Sequence, residues 1–216
     1  VKKVKTVKEP VKALCIQRFA ALILDVMIVS MVASIISYPF LDMNSIQKLN
    51  DSGTQVAEDY LSGKLEADEY VSENISISYE LAKKQGSLSL ITIFLNILYF
   101  VVFQIKNNGQ TLGKQLLRIK VKSTNGEELS MNQMIFRSMI INSILIDMVS
   151  FAILLFTNQL TYFYSVVILG MIQFIIIAAS GIMVMFGKNR RGIHDLVAHT
   201  DVVRCDVVEE MEVCES

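Results

Sequence analysis

The chain of 216 residues has no tryptophan, two prolines, three cysteines and two histidines, and its 20 basic and 21 acidic residues leave a formal charge of −1. With only His194 and His199, no Ser-His-Asp or Cys-His constellation with an exposed nucleophile motif can be drawn, so an enzyme is not expected. His194, Asp195 and His199 are metal-ligating residue types. Neighbours on a helix point apart, however, and no fourth ligand has a recognised spacing, so no metal or other cofactor is expected. Basic and aromatic residues do not interleave, which leaves no sign of RNA or DNA as a partner. Gly109 to Lys114 superficially resembles a phosphate-binding loop, but its glycines are one residue too close. Gln115 stands where a magnesium-holding Ser or Thr is needed, so nucleotide hydrolysis is not expected either. No small-residue cleavage site follows the first apolar run, which is far longer than a signal-peptide core, so that run should be retained.

What the chain has in abundance is apolar sequence. About half of it is apolar and its mean hydropathy is positive, as in a membrane protein. Four runs, Phe19 to Leu41, Leu88 to Ile105, about Ile135 to Phe156 and Tyr162 to Phe186, approach or exceed the ~18–20 residues that cross a ~30 Å hydrocarbon core as helix. The expected fold is an all-α membrane protein of one domain, residues 1–216, with transmembrane helices at about 18–40, 88–105, 134–156 and 162–186. Charge sets its orientation. Lys2, Lys3, Lys5, Lys8, Lys12 and Arg18 precede the first run against Glu9 alone. Lys106, Lys114, Arg118, Lys120 and Lys122 outnumber Glu127 and Glu128 in the 106–133 connection, and Lys188, Arg190 and Arg191 follow the last run. By the positive-inside rule these segments, both termini and the 187–216 tail face the cytoplasm of a multi-pass cell-membrane protein. The 42–86 connection is acidic instead (Asp42, Asp51, Glu58, Asp59, Glu66, Asp68, Glu69, Glu73 and Glu80 against Lys48, Lys64, Lys83 and Lys84) and should lie outside. Cys15, Cys205 and Cys214 then all sit where thiols stay reduced, which argues against a disulfide framework.

The connections carry their own patterns. In the external one, apolar residues recur at helical spacing before and after Ser62-Gly63, which predicts two short amphipathic helices. Its Asn74-Ile75-Ser76 sequon is of a kind that arises by chance. In the cytoplasmic one, Thr111 is placed to cap a short amphipathic helix lying on the membrane surface, with Lys114 and Arg118 toward the headgroups. Ile119 to Lys122 alternates like a strand, and Asn125-Gly126 signals a short hairpin; Val202 and Val203 are another possible source of a partner strand.

Charges inside the apolar runs stand out most. Asp25 lies within the first, and Arg18 seven residues earlier shares nearly the same helix face, about 10 Å away along the axis, too far for easy direct pairing. Arg137, Asn142 and Asp147 recur in the third run, Asn96 in the second and Gln173 in the fourth. Asp25, Asn96, Asn142, Asp147 and Gln173 could line one polar track, because buried polar groups in lipid must face partners or water. One reading is an ion or proton path in which Asp25 and Asp147 titrate. The other is that amides bond between helices and both arginines snorkel to the interface.

Arg18-Phe-Ala-Ala-Leu-Ile-Leu-Asp25, Gly109-Gln-Thr-Leu-Gly-Lys114 with Ile119-Lys-Val121 and Gly126, then Arg137, then Gly192-Ile-His-Asp195, together resemble the RDD family of small polytopic membrane proteins over residues 16 to 204. The family is named for one arginine and two aspartates, which match Arg18, Asp25 and Asp195. The resemblance implies that Asp195 belongs with the site and leaves Asp147 without family support. It also implies a role in transport, with proton-coupled monovalent cation exchange in some members and control of membrane-bound partner proteins in others. The expected partners are the lipid bilayer, further copies of the chain, and a membrane protein engaged through residues 42–86.

Overall fold

The computed structural model describes residues 11–205. The basic residues from Lys2 to Lys8, Glu9 and Cys214 therefore lie outside the described residues. The elements in order are α1 (Cys15–Ser37), a 3-10 turn (Tyr38–Phe40), α2 (Met43–Leu61), α3 (Ala67–Lys84), α4 (Gly86–Ile97), a π-helical segment (Leu98–Phe103), α5 (Gln104–Lys106), α6 (Leu112–Leu116), β1 (Ile119–Ser123), α7 (Met131–Ile141), α8 (Ile144–Phe156), α9 (Gln159–Phe186), α10 (Ile193–Val197) and β2 (Thr200–Arg204). Three helical stretches, Cys15–Phe40, Gly86–Lys106 and Gln159–Phe186, are long and apolar enough to cross a membrane.

The third predicted span, 134–156, is not continuous. Helix α7 ends at Ile141 and α8 begins at Ile144, with Ser143 in the left-handed region at φ 56°. A non-glycine residue there cannot continue a right-handed helix. The two helices count as a fourth crossing only if the pair is taken as one broken span.

The described chain packs as two compact units. The first takes in residues up to Val29, Asn96–Asn142 and those from Ile176 onward; the second comprises Ser30–Leu95 and Ser143–Ile175. The first is built on a small sheet. β1 and β2 pair antiparallel, with Val121 opposite Val202, and the chain before α1 adds to β2 through Ala13 N–H to the Val202 carbonyl and Arg204 N–H to the Val11 carbonyl, both 2.9 Å. Ala13, Ala21, Val101, Ile119, Val121, Met134 and Val202 form the apolar core beneath it. The expected hairpin at Asn125-Gly126 does not form, because β1 has a more apolar partner in the Val202-Val203 strand. The Asn125-Gly126 turn leads instead to α7, whose start is closed by a reciprocal cap in which Ser130 Oγ accepts from Gln133 N–H and Gln133 Oε1 from Ser130 N–H.

In the second unit, α2 and α3 form the expected helical pair, reversing at Ser62–Leu65 with Gly63 at φ 76°. Asp42 caps α2 through Ser45 N–H, while Asp68 and Glu69 in the first turn of α3 and Lys83 and Lys84 in its last complement the helix dipole. Ile46, Ile75 and Tyr79 turn inward, Tyr60 stacks on Tyr70 at 4.5 Å, and the Tyr79 hydroxyl donates to the Thr157 carbonyl at 2.7 Å.

Candidate functional site

The first unit encloses two carboxylates, each fully buried and each held by a different set of donors. Asp195 lies in the first turn of α10. Its Oδ2 accepts from Arg18 Nη1 at 2.8 Å and from its own cap, Gly192 N–H, at 3.1 Å, while its Oδ1 accepts from Arg137 Nη1. Arg137 also donates to Thr200 Oγ1 at 2.9 Å, and Arg18 Nη2 reaches the Val202 carbonyl at 3.3 Å. One buried carboxylate thus answers two guanidinium groups from α1 and α7. Burial pushes the Asp195 carboxyl up, but the charges of Arg137, His194 and Arg18 and the hydrogen bond from Arg137 outweigh it and hold the group well below the usual carboxylate range. His194, buried beside it, is pushed down to about 3 by burial first and by Arg137 next, so the imidazole is neutral. Ser180 Oγ accepts from Ile193 N–H at 3.1 Å and shares a hydrogen bond with His194 Nδ1 at 2.8 Å. A Cβ on Gly192 would stand 2.3 Å from Ser180 Oγ, so the glycine of Gly192-Ile-His-Asp195 is what lets this turn close against α9.

Asp25 is not part of that ion pair. Its Oδ1 accepts from the Tyr99 hydroxyl at 2.6 Å and from Gly113 N–H at 2.8 Å, and its Oδ2 accepts from Thr111 Oγ1 at 2.5 Å. Tyr99 comes from the π-helical segment, a distortion that re-aims side chains and often marks functional positions. The same segment leaves the Phe100 carbonyl free for Ser138 Oγ at 3.1 Å. Thr111 caps α6, accepting from Lys114 N–H as its sequence predicts, while spending its hydroxyl proton on Asp25. A Cβ on Gly113 would lie 2.5 Å from the Ala21 carbonyl oxygen and 2.8 Å from Asp25 Oδ1. Only glycine lets α6 dock this closely on α1.

Docking α6 in this way also overturns the placement of Lys114 on a headgroup-facing surface. Its side chain lines a cavity of about 140 Å³ together with Arg18, Asp25, Arg137, Asn142 and His194. Among the described residues the Lys114 ammonium has no hydrogen bond or ion pair. Burial, then the nearby Arg137, push it down to about 7, against the pull of Asp25 and Asp195. Two further buried polar atoms are unpartnered here, Arg18 Nε and Asn142 Oδ1.

Of the residues singled out from sequence, the structure therefore gathers Arg18, Asp25, Arg137, Asn142 and Asp195 in one unit, with Arg18 and Arg137 on Asp195 and Asp25 on a separate set of donors. Asp147 belongs to the second unit, with Gln173, and lines another cavity with Ser89, Thr92, Ser150 and Tyr162. Tyr99, Ser180 and Thr200 were not visible as site residues. A lone phenol in the second apolar run was the one available hint. Below the cluster, Arg191 grips Asp201 through Nε and Nη2, both at 2.6 Å, and Lys12 joins at 3.3 Å. Among the described residues no group of three His, Cys, Asp or Glu side chains is arranged to hold a metal ion.

No curated protein and no solved structure matches this chain. A family model described as the RDD family does, over residues 12–199, a stretch that contains every member of both carboxylate networks except Thr200 and the Val202 carbonyl. The chain belongs to the RDD family, and with three helices long and apolar enough to cross a bilayer it is a multi-pass membrane protein.

Proposed function

We propose that this protein acts as a regulatory or assembly partner of another membrane protein, with both termini cytoplasmic, and that its family charges lock its cytoplasmic end together without carrying cations. The observation that carries this reading is saturation: Asp195 is neutralised by two arginines and Asp25 accepts three hydrogen bonds, so neither carboxylate has a free face for a cation. A cation entering the cavity would also meet Arg18, Lys114 and Arg137. The α2–α3 pair is the natural gripping surface, since Tyr60, Leu61 and Val71 remain exposed on it.

In proteoliposomes, the wild-type protein should support no Na⁺ or K⁺ flux driven by a pH gradient beyond that of empty vesicles, and crosslinking in cells to a membrane partner should be lost on deleting residues 43–84. Exchange that Asp25→Asn abolishes without changing the amount of folded protein would overturn the proposal. One observation favours proton-coupled cation exchange as a second reading. The Asp147 carboxylate has no hydrogen bond or ion pair among the described residues and shares the second unit's cavity with hydroxyl groups. Flux sensitive to Asp147→Asn but not to the partner-binding deletion is the result that reading predicts.

A further inference from the structure

The cavity of the first unit has an imbalance that neither carboxylate network removes. Arg18 and Arg137 bring two positive charges to it and Lys114 a third when protonated, while Asp25 and Asp195 bring two negative ones, His194 being neutral. The surplus is not spread over a wet surface. Arg137 is 5% exposed, and Arg18 Nε is buried without a partner. A buried donor left unpaired costs roughly 1–3 kcal/mol, and more if charged, so a native arrangement that keeps the charged Arg18 Nε unpaired beside a void is suited to an acceptor that fills it. An apolar part of the lining comes from helices long enough to cross the membrane: Phe19 and Leu22 of α1, Ile177 and Val184 of α9. Phe19 is 61% exposed and Ile177 40%, so the rim of this cationic void is hydrocarbon.

We propose that the cavity is a binding site for a single phosphate-type anionic group, held by Arg18 Nε and the Lys114 ammonium, and that its apolar rim suits the headgroup phosphate of an anionic lipid. Volume agrees with the assignment. About 140 Å³ admits one phosphate but no nucleotide, and lipid tails would remain outside along Phe19 and Ile177. Charge agrees as well, because a monoanion cancels the surplus without displacing Asp25 or Asp195 from their donors. Lys114 supplies the tunable part. Its ammonium, without a partner among the described residues, is pushed down to about 7 by desolvation, and an anion beside it would draw the proton back. This site is independent of whether the protein regulates a partner or moves an ion.

The test is native mass spectrometry of the full chain, with thermal unfolding in parallel, in a zwitterionic detergent free of phosphate. Phosphatidylglycerol, phosphatidylcholine or inorganic phosphate is then added separately. One phosphatidylglycerol retained per chain and a raised unfolding midpoint, with no such effect from phosphatidylcholine, is the expected result. Lys114→Gln should weaken retention about tenfold or more, as loss of one charge-assisted hydrogen bond implies, while Lys114→Arg preserves it. Saturable stabilisation by inorganic phosphate with the same dependence on residue 114 would support the site and identify its ligand as a free anion. Equal retention of phosphatidylglycerol by wild type and a monodisperse Lys114→Gln protein would overturn the proposal, as would no response to either anion.

Discussion

At the scale of single residues, Asp195 carries the heaviest electrostatic duty. It is the one carboxylate that touches both Arg18 and Arg137, so Asp195→Asn strands two guanidinium groups in a buried site. Breaking such a pair costs roughly 3–5 kcal/mol. The variant should therefore give little folded protein by size-exclusion chromatography, whereas Arg18→Met, which leaves Arg137 on Asp195, should lose less. The titrating groups outside the spans make stability depend on pH in a definite direction. The fold holds His194 near 3 against an ordinary 6.5, so its neutral form is favoured and stability falls as pH drops from 6.5 toward 3. Asp195 sits below its ordinary 3.8, so its contribution is complete above that value and is lost as pH falls further. Lys114 runs the other way along the scale. Held near 7 against 10.5, it disfavours the folded state while charged, so stability rises between pH 7 and 10.5. Unfolding midpoints measured across pH in lipid-free detergent should show both slopes, with His194→Gln flattening the acid one and Lys114→Gln the alkaline one.

At the scale of elements, the decisive piece is α6, five residues long and far too short to be stable alone. It exists because Asp25 accepts its cap and its second N–H, and because Gly113 has no side chain to hold it away from α1. Gly113→Ala should cost about 1–3 kcal/mol through that collision. It should also expose Tyr99, which is checked by the fluorescence and acrylamide quenching of a variant keeping only that tyrosine. Much of this level was legible from sequence. The Thr111 cap, the Ile119–Lys122 strand and the two helices of the 42–86 connection follow from local patterns that the structure repeats. The failures were non-local. Helical spacing placed Lys114 toward headgroups because nothing in α6 itself reveals that a glycine turns it inward. Asn125-Gly126 looked like a hairpin because its signal is local, whereas β1 pairs with the Val202-Val203 strand that the sequence offered as the other partner, far along the chain. The break at Asn142-Ser143 lay inside an apolar run whose composition carries no stop signal. Of the site, Arg18, Asp25 and Asp195 were named through resemblance to a family. Their partners Tyr99, Thr200 and Ser180 became visible only in three dimensions.

At the scale of the whole molecule, the long helices leave large apolar side chains uncovered, Phe19, Met31, Ile35, Phe174 and Ile175 among them. At about 25 cal/mol per Å² these faces are costly in water and cost nothing in hydrocarbon, which is the physical content of calling the chain a membrane protein. The two units draw on the sequence differently. The second uses two segments and the first three, with Asp195 joining Arg18 across 177 positions and β2 completing a sheet begun at β1. That connectivity has a consequence for biosynthesis. While the chain is being made, Arg18 and Arg137 leave the ribosome long before their counter-ion, and β1 waits with an open edge, so the first unit cannot close until residues 192–204 emerge. Nascent chains stalled with residue 190 outside the ribosome should remain sensitive to protease between residues 107 and 130, and chains stalled with residue 205 outside should be protected. Until then two buried arginines lack the carboxylate that pairs them, and the order of synthesis sets the order in which the first unit can lock.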